Sequence, residues 1–237
     1  LRVFFKAMIE ISDDLNADRK RQAAWRHILA HLSDLPTYDD RARGRKRFRA
    51  CDGGSGSALN RVGLDRIMLH ALVFPAPNIG LGSGTAQLKM IRDDMSQWSD
   101  GTWLDYGNGF QTIFICAARV GYDPNFLLAK AREKLAADPY RNLVIPAGGG
   151  GIETCSGIPG MINEMMLQSH KGAMRVFPVF PRDQKASFYR LRTFGAFLVS
   201  SSIKSGNIRY VLIESERGRE CRIVNPWPGE KVVVSRT

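Results

Sequence analysis

The sequence predicts a mainly α protein with a β-rich C-terminal domain, on three observations. Apolar residues recur at helical spacing, between glycine and proline loops, as far as residue 170. From Lys171 onward the period changes to alternation, and β-branched and aromatic residues dominate. With 44% hydrophobic residues, the 237-residue chain can bury a real core as one large domain or two modest ones, so it does not read as disordered. No stretch approaches the length of a membrane-spanning helix, and Leu1 opens into VFFKAMIEI without a basic leader and cleavage site. The expected division is a helical region over 1–170 and a β domain over 171–237.

VFFKAMIEI is a short apolar helix. Asp18 opens a second, through Ala24, Ile28 and Leu32, which stops before Pro36. A third spans about 60–74. Ser83 caps a fourth, with Leu88, Ile91, Met95 and Trp98 spaced by threes and fours. Phe110, Ile113, Phe114 and Ala117 lie on a fifth, closed by Gly121. Asp123 followed by Pro124 is a cap and a first-turn proline, opening a sixth through Leu127, Ala131 and Leu135. The seventh carries the stripe Ile158, Met161, Ile162, Met165 and ends on Gln168, Ser169 and His170. This rhythm of helix, loop and helix fits antiparallel hairpins arranged in a ring. Beyond Lys171, the segments AMRVFPVF, FGAFLVSSSI, IRYVLIESE, ECRIV and KVVVS read as strands, with turns at Ser205-Gly206, Arg217-Gly218 and Pro228-Gly229. Five short strands predict a small antiparallel β-sandwich.

The feature richest in chemistry is GGGGIETCSG, where four glycines, Gly148 to Gly151, deliver Glu153 to the mouth of the seventh helix. Glycine backbone can approach a ligand closely, so the next polar side chain projects into a pocket. Two roles are open for Glu153: an active-site acid or base, or a carboxylate that favours the helix N-terminus. Cys155 as a nucleophile lacks a histidine nearby in sequence, His170 being at the far end of the helix. Cys51, Cys116, Cys155 and Cys221 are widely spaced without a CxxC pair, so free thiols in or near the core are expected, and neither a metal nor a cofactor.

A formal charge of +11 raises the question of a polyanion partner. The densest run, RARGRKRFR from Arg41 to Arg49, could bind phosphates, but only Phe48 interrupts it with an aromatic ring, and no helix-turn-helix, RNP-type or zinc-finger pattern surrounds it. A solvated loop is the expected reading, and nucleic acid is not the expected partner.

The segment NEMMLQSHKG resembles the AEMLLQSH segment of glycoside hydrolase family 95, which contains inverting α-L-fucosidases and α-L-galactosidases. FICAARVGYDPNFLLAKAREKL is similar to that family's aromatic-rich helix, Gly-Asp turn and following helix, and WRHILAHLSDLPTY to a tryptophan-bearing helix ending in a Leu-Pro-Pro-Tyr type loop. The likeness covers most of the chain, and NEMMLQSH is its only specific motif. It implies the C-terminal portion of an (α/α)6 toroid followed by a β-rich buttressing domain. Counting back from His170 without gaps, the family's aspartate base falls on Glu153.

The departures are definite. The family's His-Arg-His run before a Tyr-Pro-Gly loop is not reproduced; GLDRIMLHALVFPAPNIG keeps Arg66, His70 and Pro75 loosely in register. The family's general acid and water-positioning asparagines lie on segments N-terminal to this chain. Glutamate in place of aspartate suggests a divergent branch with its own sugar preference.

The resemblance thus implies a fragment lacking an N-terminal part of the same polypeptide, acting on an oligosaccharide or glycan in a secreted or periplasmic setting. Trp103 and Tyr106, flanked by glycines, would be the sugar platform, whereas Trp98 and Phe110 fall on core periods. His70 and Asn78 could bond hydroxyls, with a satisfied turn asparagine as the competing reading of Asn78. Asp105 and Asp65 are further loop carboxylates without a motif. Two alternatives remain: a catalytically inactive carbohydrate-binding remnant and a basic nucleic-acid-associated helical protein.

Overall fold

A computed structural model describes residues 1–49, 71–96, 112–137 and 155–235. The chain divides into two compact units, Leu1–Asn78 and Ile79–Thr237. The change of period at Lys171 therefore falls inside the second unit.

In the first unit, α1 (Arg2–Leu15) and α2 (Arg19–His31) form an antiparallel pair. The chain reverses at Asn16 and Asp18, both in the left-handed conformation that asparagine and aspartate tolerate. The pair buries Ile9 and Trp25, and polar bonds tie it together. Gln22 Nε2 donates to Ser12 Oγ at 2.9 Å, while Arg2 Nη2 donates to the carbonyls of Leu32 and Ser33 at 2.8 and 2.7 Å. The second helix thus packs through Trp25, whereas Ala24, placed on its apolar stripe by sequence, is exposed. A hairpin follows, β1 (Thr37–Asp40) and β2 (Arg45–Phe48), in register from Thr37 opposite Phe48 to Asp40 opposite Arg45. Of the expected third helix, residues 71–73 are helical, Phe74 lies in a turn, and 60–70 lie outside the described residues.

The second unit is organised around α4 (Thr112–Val120), against which α3 (Thr85–Met95), α5 (Pro124–Ala137) and α6 (Gly157–Met166) pack. Ile113 through Ala118 and Val120 are all buried, the pattern of a helix enclosed on every side. Helix α6 comes close at Gly160, where an added Cβ would lie 2.7 Å from Ile115 Cδ1. As expected, Asp123 caps α5, its Oδ1 accepting the Phe126 N–H at 2.8 Å. Ser83 does not cap α3: Gly84 holds the cap position, and the Ser83 hydroxyl accepts the Gly80 N–H. Helix α6 stops at Met166, so Gln168 lies beyond the helix in extended backbone, and Ile162 is exposed.

Strand β3 (Leu167–Gln168) pairs antiparallel with β4 (Arg175–Val176). Three longer strands, β5 (Ala186–Thr193), β6 (Phe197–Lys204) and β7 (Asn207–Ser215), form an antiparallel meander in the order 5-6-7. Its core joins Phe188, Phe197, Val199, Ile203 and Ile208 to Leu167, Met174, Val176 and Phe177. Ser205 and Gly206, both at positive φ, make the two-residue turn between β6 and β7.

Three strand expectations need correction, and one strand was unexpected. Of AMRVFPVF only Arg175–Val176 is a strand, followed by a bend and a turn. KASFYRLRTF contains the full strand β5, which its interleaved basic residues conceal. ECRIV supplies only an isolated bridge, Ile223 to Met174. KVVVS is irregular: high β-propensity yields no strand without a partner, and Val233 and Val234 stand in solvent. The architecture is thus mixed, helices with small antiparallel sheets. Among the described residues no helix is long and apolar enough to cross a membrane.

Candidate functional site

The C-terminal end of α4 is the node of the site. A helix end leaves its last carbonyls without intrahelical donors, and each here finds one. Gly121, at φ 79°, closes the helix in a Schellman arrangement: the Tyr122 N–H donates to Ala117 O and the Gly121 N–H to Ala118 O. Ala118 O also accepts from Gln168 Nε2 at 3.0 Å, Arg119 O from the Leu81 N–H at 2.8 Å, and Val120 O from Arg92 Nε at 2.5 Å. Three segments distant in sequence therefore converge on one turn of helix.

Side chains reinforce this node. Arg119 donates through Nε and Nη2 to Glu164 Oε1 at 2.9 and 2.7 Å. Their side chains are only 11% and 17% exposed. Burial pushes the Glu164 carboxyl above its ordinary range, against the opposing pull of Arg119. Gln168 also donates to Glu164 O, binding β3 back to α6. The His170 ring is buried, and an added Cβ at Gly80 would come within 2.4 Å of its Nε2, so only glycine admits the imidazole there. Among the described residues Nε2 has no hydrogen-bond partner. Burial, then the charges of Arg119, Arg175 and Lys171, lower the His170 pKa to about 4, so the ring is neutral at neutral pH. The last of the group, Ser169, accepts the Phe194 N–H on its Oγ and so fastens the β5–β6 turn to the motif.

This cluster joins Arg119, on the FICAARVGYD segment, to Glu164, Gln168, Ser169 and His170 of NEMMLQSH. From sequence, Gln168, Ser169 and His170 read only as the end of the seventh helix, and Arg119 and Glu164 were not paired. One signal was present: Arg119 is a lone charge in an otherwise apolar helix, and a buried charge requires a partner. Beside the cluster lies a hollow of about 520 Å³, lined by Arg119, Asn163, Glu164 and the β5–β6 turn among others.

Glu153, Trp103, Tyr106 and His70, with Asp105, Asp65, Trp98 and Cys51, lie outside the described residues. Asn78 is half-buried in a turn, its backbone N–H donating to Leu72 O and Ala76 O. Of the cysteines, Cys116 is buried and Cys155 half-buried, but Cys221 is exposed rather than near the core; all three are free thiols. No group of residues suited to holding a metal ion occurs among the described residues.

The basic run occupies the turn after β1, strand β2 and the residue that follows it. Asp40, itself buried, accepts from Arg43 N and Nη1 and from Arg47 Nη1. Burial opposes ionisation of Asp40, but these hydrogen bonds outweigh it and hold the carboxyl below its usual range. Arg49 lies over the Tyr38 ring, 5.8 Å from its centroid. Arg43, Arg47 and Arg49 thus have contacts within the hairpin.

No protein-family model matches the chain, and no curated protein matches it.

Proposed function

We propose that this chain is the base-bearing part of an inverting glycoside hydrolase acting on an α-L-fucoside-like or α-L-galactoside-like bond. The observation that carries the proposal is the union of the two motif segments: FICAARVGYD and NEMMLQSH, separate in sequence, are linked through Arg119–Glu164 and Gln168–Ala118. That union supports reading them as one packed unit of a helical toroid that includes α6, the helix that Glu153 precedes in sequence. The β-rich segment then belongs to a buttressing sandwich domain.

In this reading the general acid, N-terminal to this chain, protonates the leaving oxygen as the glycosidic bond breaks. Water attacks the anomeric carbon from the opposite face, and Glu153 takes its proton. The two carboxyl groups of such a pair stand about 6.5–9.5 Å apart to admit that water. Trp103 and Tyr106 provide the sugar platform. The inactive carbohydrate-binding remnant is the competing reading. The basic nucleic-acid-associated protein is the further alternative, and in it the Arg41–Arg49 run would meet the phosphates.

The test is incubation of the natural full-length polypeptide with aryl α-L-fucosides and α-L-galactosides, with NMR detection of the first anomer released. The expected product is the β-anomer. Release of the α-anomer contradicts inversion, and sugar binding without turnover selects the remnant.

A further inference from the structure

We propose that the hollow beside the Arg119–Glu164 pair is a second sugar-binding site, taking one neutral monosaccharide unit against the ring of Phe194. Its volume, about 520 Å³, lies in the range of small-molecule pockets. The site stands at the C-terminal end of α6, a helix of 10 residues and about 15 Å, whereas Glu153 precedes the N-terminal end in sequence.

Three features define the ligand. The first is Phe194, 68% exposed on a tight turn whose backbone is fastened by several hydrogen bonds. Its N–H donates to Ser169 Oγ, its carbonyl accepts from Thr193 Oγ1, and Ala196 O accepts the Glu216 N–H. A large apolar ring presented to solvent on a rigid support offers contact area at little ordering cost, and the C–H face of a pyranose is its natural complement. The second is the polar lining: the exposed Asn163 amide stands with the Ser169 hydroxyl and the Glu164 carboxylate, a mixture of donors and acceptors suited to hydroxyl groups. The third is charge. Arg119 is matched by Glu164, Arg192 binds Glu216 through two hydrogen bonds, and His170 is neutral, so the lining carries no uncompensated charge with which to select an ion. The choice of a sugar among neutral polyhydroxylated ligands rests on the glycosidase reading.

Calorimetric titration of the full-length protein with L-fucose, D-galactose and, as anionic control, D-glucuronate tests the site. Phe194→Ala should weaken binding of a neutral sugar about tenfold with an unchanged melting temperature, Asn163→Ala should weaken it less, and Glu153→Gln should leave it in place. The proposal is overturned if the wild type binds neither neutral sugar, if Phe194→Ala binds as the wild type does, if glucuronate is preferred, or if Glu153→Gln abolishes binding. Phe194-dependent binding in a protein that hydrolyses no glycoside would sink the glycosidase reading alone.

Discussion

His170 is an ionisable ring kept neutral by its surroundings, and that has a consequence for stability. Its pKa is about 4 in the folded chain, against an ordinary value of 6.5. As pH falls, the unfolded chain therefore takes up the proton first. The stability this residue contributes is whole above about pH 6.5 and is lost progressively towards pH 4, by up to ~3 kcal/mol. Glu164 acts in the opposite sense: its raised carboxyl contributes stability at low pH that is lost as pH rises through the folded value. Urea midpoints of wild type and His170→Asn between pH 7.5 and 4.5 separate the two. The wild type should lose more stability on acidification than the variant, and parallel curves would mean that His170 is not held neutral. At this level the sequence was legible where the signal was local: Asp123 and its cap partner Phe126 lie three residues apart. Ser83 misled because a glycine stands between it and the helix, leaving its hydroxyl to bond Gly80 instead. Arg119 and Glu164, 45 residues apart, share no local pattern that could have paired them.

Among elements, the joint between α4, α6 and β3 concentrates the long-range polar bonds. Removing one member of a buried ion pair leaves an uncompensated charge, at a cost of about 3–5 kcal/mol, whereas replacing both with apolar groups is far milder. Arg119→Met and Glu164→Met should each destabilise the protein on that order, and the double variant by much less than their sum. A double-mutant cycle in urea measures the coupling. Additive losses below about 1 kcal/mol each would reduce the pair to a surface contact. Helices α1, α4 and α6 were readable from their apolar spacing, and α5 from its Asp-Pro start, where Asp123 caps the first turn. Strands were less so, since pairing decides them: β5 has its partner in β6 despite a polar sequence, and KVVVS, apolar and β-branched, has none.

For the whole molecule, the mixture of helices with small antiparallel sheets was readable from the change of period near Lys171, but the division at Asn78 and Ile79 was not. Few local signals mark it, because compactness is a property of contacts made across long stretches of chain. The residues named for chemistry sit mostly on glycine-rich or proline-rich segments, where sequence identifies a side chain without fixing its neighbours. Glu153 carries the functional account, and its two roles separate cleanly in one variant. If it deprotonates the attacking water, Glu153→Gln in the full-length protein should lower kcat on the order of 10²-fold or more with melting temperature and sugar affinity nearly unchanged. If it serves the helix terminus, glutamine still accepts a hydrogen bond, so turnover survives while stability falls slightly. Measured together on that variant, kcat and melting temperature decide: a collapse of kcat at constant melting temperature is the predicted result, and near-wild-type turnover would contradict the assignment of Glu153 as the base.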